Sequence, residues 1–251
     1  MKSLQVDVDL LIDIGNSRVK WAMKRGQEWV VGPAIPVAGL TDWGITLADQ
    51  ERPQRVLISN SAGAAVEASI ITWCESELGV TPKIIRSEFR GFGVHNTYKN
   101  PSELGADRWL AMIAARHDSS VPAVVVDCGT AVTVDALDAA GHFLGGVIIP
   151  SDQTMCRNLL AQVTHLHADA IAGSNVFNLS TGSAVANGSL MAVIGGIDRT
   201  VEAFFEHMGQ DTRVVLTGGN AARIAPLLRC RCSEYPNLVL DGLRIVAGHV
   251  T

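Results

Sequence analysis

Two short motifs carry the same chemical possibility. Asp13-Ile14-Gly15-Asn16-Ser17 and Asp127-Cys128-Gly129-Thr130-Ala131 each follow an apolar run and open another. An aspartate at the end of a buried strand projects its carboxylate beyond the strand. The glycine lets the chain turn and brings backbone N–H groups close to a ligand. Such N–H groups suit phosphate oxygens, and the carboxylate suits a hydrated cation bound to those phosphates. Asn16, Ser17 and Lys20 add donors just beyond the first turn. One Asp-x-Gly-x-Ser alone also fits a plain hairpin turn. Two such turns facing one another would bracket a polyphosphate. Two carboxylates in one cleft repel, and each would hold its proton unless cations neutralised them, so Asp13 and Asp127 together predict bound cations. Gly218-Gly219, between an apolar run and a short helical stretch, offers a further backbone surface for a nucleotide, and equally fits an ordinary helix start.

A third stretch, Tyr98 to Leu110, holds Asp107 and Arg108 at the start of an apolar helix containing Trp109, Leu110, Met112 and Ile113. An aspartate in the first turn of a helix is favoured by the dipole whatever else it does. In phosphoryl transfer, however, an attacking hydroxyl must lose a proton, and a carboxylate beside a cationic clamp is suited to take it. His165 and His167 are spaced i, i+2 on an expected helix, which points them to different faces and favours packing or surface roles over a metal site. Met191, Val193 and Ile194 fit a core or subunit contact.

These motifs need strand ends to carry them. In the first half, short apolar runs at Leu10–Ile12, Ser17–Met23, Gln27–Val31, Arg55–Ser59 and Lys83–Ile85 read as strands, with Gly26 at a hairpin position. Ala64–Leu78 has helical spacing and Gly79 as its stop. The second half begins again, with strands expected at Ala123–Val126, Ala131–Leu137, His142–Ile149 and Arg213–Leu216. Helices are expected over Thr154–Leu166, Ser180–Met208 and Ala221–Leu228. The two Asp-x-Gly turns lie about half a chain apart in the same strand context. This predicts two copies of one α/β unit, residues 1–118 and 119–251, joined near Ser119–Pro122.

The 251 residues are 47% hydrophobic, 18% charged and 5% aromatic, with a net charge of −5. That excludes a disordered, collagen-like or disulfide-stapled chain. Lys and Arg form no run and aromatic residues are few, so nucleic acid is not expected as a partner. The five cysteines include no CxxC pair, and the expectation is reduced thiols in a cytoplasmic protein. Asp7 and Asp9 interrupt any signal-peptide core, and the longest charge-free stretch, Ala170 to Ile197, holds too many polar side chains for a membrane span.

With its motifs in order, the chain resembles the type III pantothenate kinases of the actin-like and sugar-kinase superfamily. The matching stretches are Asp13 to Lys20; Tyr98 with Gly105-Ala106-Asp107-Arg108-Trp109; Asp127 to Thr133; Gly145 to Pro150; Thr181 to Val185 with Gly188; and Leu216 to Gly219. The resemblance implies two duplicated RNase H-like (actin-like ATPase) domains, mixed sheets flanked by helices, with an ATP cleft between them. It implies ATP-dependent phosphorylation of pantothenate to 4′-phosphopantothenate, the first step of coenzyme A biosynthesis. Asp13, Ile14, Gly15, Asn16, Ser17, Arg18, Val19 and Lys20 would form the first ATP phosphate loop, with Mg²⁺ held partly by Asp13. Thr130 would make the second ATP contact, and Asp127 would bind a monovalent cation, K⁺ or NH₄⁺. Tyr98, Gly105, Ala106, Asp107, Arg108 and Thr181 would contact pantothenate, with Asp107 as catalytic base. A homodimer is implied, its substrate site completed between subunits. The rival on the same fold is a nucleotide-binding transcription accessory factor. One departure stands out: the family usually has Gly after Pro150, where this chain has Ser151. If that position needs a positive φ, Ser is strained there.

Overall fold

The computed structural model describes residues 8–26, 28–37, 45, 52–162 and 175–249. His165 and His167 lie outside them. Two compact units emerge, Met1–His117 with Leu238–Thr251, and Asp118–Asn237.

The first unit grows from β1 (Val8–Ile14), in which Val8, Leu10, Ile12 and Ile14 share one face. That face packs with Val56, Ile58, Ile70 and Cys74. Leu11, on the opposite face, is also fully buried, so the middle of the strand is apolar on both faces, with Asp9 and Asp13 flanking Leu11. It is flanked by β2 (Arg18–Arg25) and, in parallel, by β5 (Arg55–Asn60). β3 (Glu28–Val31), β4 (Ile35–Pro36) and β6 (Lys83–Ile84) complete a six-stranded mixed sheet in the order β3-β2-β1-β5-β6, with β4 beside β2. Helix α1 (Ala64–Trp73) widens to an i→i+5 turn over Cys74–Leu78 and stops at Gly79, whose φ is 68°. A short hairpin, β7 (Arg90–Gly91) and β8 (Val94–Asn96), leads to α2 (Ala106–Asp118).

The second unit holds β9 (Ala123–Cys128), β10 (Ala131–Leu137), β11 (His142–Pro150), α3 (Asp152–Gln162), α4 (Thr181–Met208), β12 (Arg213–Thr217), the single-turn α5 (Ala221–Ile224) and β13 (Cys232–Glu234). Its strands run in the order β13-β12-β9-β10-β11. Val124, Val126, Cys128, Val132 and Val134 form a core with Val193 and Ile197 of α4. Met191, on another face of α4, is 44% exposed. Each sheet is therefore mixed and helix-flanked.

The last helix, α6 (Leu238–Ala247), belongs to the first unit, although it follows β13 in sequence. Its Gly242 sits mid-helix against the backbone carbonyl of Leu110 in α2, and a Cβ there would stand 2.7 Å from the Leu110 carbonyl carbon. The glycine is thus a contact requirement and not a helix stop. Arg55 ties the same helix down. It binds the fully buried Asp9 through two hydrogen bonds of 2.8 and 3.0 Å, and donates to the Ala247 carbonyl at 3.2 Å. Lys24 lies 3.4 Å from Asp9. Without Arg55, the fully buried Asp9 would keep Lys24 as a neighbouring cation but lose its two shorter hydrogen bonds.

Candidate active site

The two Asp-x-Gly turns are built alike within their own units. Asp13 is the penultimate residue of β1, and the Gly15 N–H donates to the Arg18 carbonyl at 3.0 Å. Asp127 is the penultimate residue of β9, and the Gly129 N–H donates to the Ala131 carbonyl at 3.1 Å. A Cβ on Gly15 would stand 3.3 Å from the Arg18 carbonyl oxygen, and one on Gly129 would stand 3.3 Å from that of Ala131. Neither glycine has a positive φ, so both are chosen for close backbone approach and not for a left-handed turn.

The turns differ by one residue. Ile14 pairs with Val19 in the first, Cys128 with Val132 in the second. The shorter second turn changes what stands opposite the carboxylate: Lys20 faces Asp13, whereas Thr133 faces Asp127. A cationic side chain flanks one aspartate and a neutral one the other.

In the first unit, Asn16, Ser17 and Arg18 are exposed. Their backbone is held from behind, since Val37 N–H donates to the Ser17 carbonyl at 3.0 Å and Ser61 N–H to the Ile14 carbonyl at 2.9 Å. Ile14 and Val19 are buried anchors. In the second unit, the Gly218–Asn220 turn lies over the Asp127 turn. Asn220 N–H donates to the Cys128 carbonyl at 3.0 Å. Gly218 has φ 94°, and a Cβ there would collide with Asp127 Oδ1 and sit 2.6 Å from the Cys128 backbone N and carbonyl C. Cys128 itself is a space-filling thiol: burial, helped by the charge of Asp127, pushes it up to about 12.

Thr130 is exposed, with its carbonyl fixed by Thr154 Oγ1 at 3.1 Å. Behind it, Ser151 is buried and caps α3, its Oγ accepting from Thr154 N–H at 3.2 Å. Ser151 has no positive φ, for Phe92 is the only non-glycine residue with one among the described residues. The Ser151 departure is therefore unstrained and adds a cap. Ser151→Ala is expected to cost about 1 kcal/mol and Ser151→Gly only a few tenths. Calorimetry should show the alanine variant melting about 2–4 °C lower; no difference between the two variants would refute the capping role. Arg223 Nη2 lies 2.8 and 2.9 Å from the two carboxylate oxygens of the buried Asp152 and fixes the same helix start.

The Tyr98–Arg108 stretch forms a separate cluster in the first unit. Ser87 Oγ lies 2.6 Å from both the Pro101 and Leu104 carbonyls. Asn96 donates to the Pro101 carbonyl at 3.2 Å and accepts from Tyr98 N–H at 3.0 Å. Both are buried, so they clamp the loop that enters α2. Asp107 Oδ1 accepts from Arg108 N–H at 2.8 Å and occupies the space a Gly105 side chain would need, 2.5 Å from its notional Cβ. Buried Arg108 donates to Tyr98 Oη at 3.3 Å and lies 5.9 Å from the ring centroid. Buried Ala106 and Trp109 anchor the helix start. Thr181 belongs to the second unit, exposed on the first turn of α4, whose cap Ser180 accepts from Ser183 N–H at 3.2 Å. Sequence reading overlooked Ser87, Asn96 and Asn220, which act through backbone groups and carry no motif of their own, and gave Ser151 no capping role.

These residues fit a magnesium nucleotide. Magnesium usually takes one or two carboxylates and fills its shell with water and substrate phosphates. Asp13 beside exposed turn amides is a donor set of that kind, and among the described residues no cluster of three or more His, Cys, Asp or Glu residues suggests an all-protein cage.

A model of the type III pantothenate kinase family matches residues 9–203. The chain belongs to that family. It is 38% identical to the type III pantothenate kinase of Chromobacterium violaceum, covering 95% of this chain and 99% of the relative. It is 35% identical to that of Nitrosococcus oceani, covering 95% and 93%. Among solved structures, a Baf family transcriptional activator from Campylobacter jejuni matches at 19% identity with a TM-score of 0.57, covering 96% of this chain and 98% of the other. An archaeal actin homolog matches at 9% identity and TM-score 0.50, covering 97% and 100%. At these identities the structural likeness establishes the actin-like fold alone. Among the described residues no helix is long and apolar enough to cross a membrane.

Proposed function

We propose that the chain transfers the terminal phosphoryl group of ATP to the primary hydroxyl of pantothenate, in the cytoplasm, as the opening step towards coenzyme A. The observation that carries this reading is the seating of Asp107. A glycine clears the space its carboxylate occupies, and the neighbouring Arg108 N–H holds one oxygen. The other oxygen would accept the proton of the attacking hydroxyl. Arg108 and Tyr98, already joined, would hold the polar end of pantothenate together with the Gly105-Ala106 backbone and Thr181. Residues Asp13 to Lys20 would hold the nucleotide phosphates, and Thr130 would make a second contact to the nucleotide. When bound, Mg·ATP supplies the phosphoryl group and a divalent charge that neutralises its oxygens.

The residue facing each aspartate supports two different cations. Lys20 opposite Asp13 supplies a positive charge for the phosphates. Thr133 opposite Asp127 supplies none, which suits a monovalent K⁺ or NH₄⁺ there. Exposed Val176, Phe177 and Leu179 lead directly to Thr181, an apolar surface of the kind that a second copy covers in a homodimer.

A coupled ADP-release assay tests the reading. ADP release should depend on pantothenate and should be faster in potassium or ammonium than in sodium, in a sample that sediments as a dimer. ATP binding without pantothenate-dependent turnover would instead favour the accessory-factor reading, against which the intact Asp107–Arg108 pair now stands.

A further inference from the structure

The register of β2, β1 and β5 places Lys20, Asp13 and Ser59 in one row across the first sheet. Asp13 pairs with Lys20 on the antiparallel side and with Ser59 on the parallel side. Paired residues on neighbouring strands put their side chains on the same face, within reach of each other. Ser59 is fully buried, and its Oγ has no hydrogen-bond partner among the described residues. Buried hydroxyls are nearly always satisfied, so this one calls for a physical reason. The strand on its other side continues into Ile85, a buried apolar residue, which offers no polar side chain. Asp13 is the polar side chain beside it.

The second unit repeats the pairing. Asp127 is paired in parallel with Thr217, which is 1% exposed. The residue on the antiparallel side changes between the copies, from Lys20 to Thr133, but a buried hydroxyl on the parallel side stays. A duplicated turn that keeps a hydroxyl on the parallel side of its carboxylate, while the residue on the antiparallel side changes, points to a shared task.

We propose that Ser59 is a positioning residue for Asp13: its hydroxyl donates to the Asp13 carboxylate when Mg·ATP is bound and so fixes the carboxylate's orientation towards the cation. Such outer partners of a metal-side carboxylate commonly govern affinity. The inference rests on the kinase reading above.

The test is Ser59→Ala in the full chain, read by the Mg·ATP-induced rise in melting temperature and by kinetics. The unliganded variant melts at or slightly above the wild-type temperature, because no hydrogen bond of the free protein is lost. The thermal shift produced by Mg·ATP shrinks. KM for Mg·ATP and the magnesium concentration needed for half-maximal rate each rise about tenfold, while KM for pantothenate stays put. Ser59→Thr keeps a hydroxyl and holds the wild-type magnesium dependence. An unchanged Mg·ATP shift and KM in Ser59→Ala would overturn the proposal. So would a lower melting temperature of the free variant with both KM values rising together, which marks a packing role. A wild-type chain that Mg·ATP stabilises but that never turns over pantothenate would overturn the kinase reading and leave the Ser59 comparison readable. One that Mg·ATP does not stabilise would overturn both.

Discussion

Asp107→Asn should lower kcat for pantothenate phosphorylation by roughly 10²–10⁴ and leave the fold intact. The substitution is nearly isosteric. The amide oxygen can still accept the Arg108 N–H that Oδ1 accepts at 2.8 Å, and the space cleared by Gly105 still accommodates it. Nor does the change disturb the Ser87 and Asn96 clamps, which act on the loop backbone. What the amide loses is the capacity to take a proton from the substrate hydroxyl. KM for pantothenate should therefore move little and kcat should carry the loss, a split that separates a chemical role from a binding one. Single-turnover measurement with saturating Mg·ATP gives the cleanest comparison. Turnover close to wild type would remove Asp107 from the reaction.

How much of this arrangement was legible beforehand depends on the range of the interactions involved. Both Asp-x-Gly turns and their flanking strands follow from local patterning: an apolar run, a carboxylate, a glycine, and a second apolar run. The one-residue difference between the turns does not, because it lies in the pairing register and decides whether Lys20 or Thr133 faces the carboxylate. Helix α6 was hidden by Gly242 and Asp241, which look like breakers in an apolar stretch. Only the Leu110 carbonyl in α2, more than a hundred positions away, explains why glycine is required. For the same reason the division at 118/119 was drawn without α6, which packs with the first unit. The brief strands β4, β7, β8 and β13 have too few residues to show a period.

The supporting polar residues were hidden differently. Ser87 binds carbonyls well beyond it in sequence, while Asn96 and Ser151 bind backbone groups only a few residues on, and a single hydroxyl or amide has no spacing to read. Ser151 shows the limit of reasoning from resemblance. A missing glycine suggested strain, yet the backbone there is not left-handed and the side chain caps α3.

Gly218→Ala should be strongly destabilising, whereas Gly219→Ala next door should be nearly silent. Gly218 combines both reasons for glycine. Its φ of 94° strains any L-residue, and the added Cβ would meet Asp127 Oδ1 and lie 2.6 Å from two backbone atoms of Cys128. Backbone strain of this kind costs about 1–3 kcal/mol. The clash cannot be relieved by rotating a side chain, because β9 is pinned at that point by its pairing with both β10 and β12. A total near 3 kcal/mol would lower the melting temperature by about 6–12 °C. Among the described residues nothing lies within 4 Å of a notional Cβ on Gly219, which has no left-handed φ, so alanine there should shift stability by less than about 0.5 kcal/mol. Since the collision falls on Asp127, Gly218→Ala should also blunt the potassium dependence of turnover at temperatures where the variant remains folded. Equal melting temperatures for the two variants would mean that the Gly218 turn opens freely. The Asp127 carboxylate would then not be held by the close packing described here.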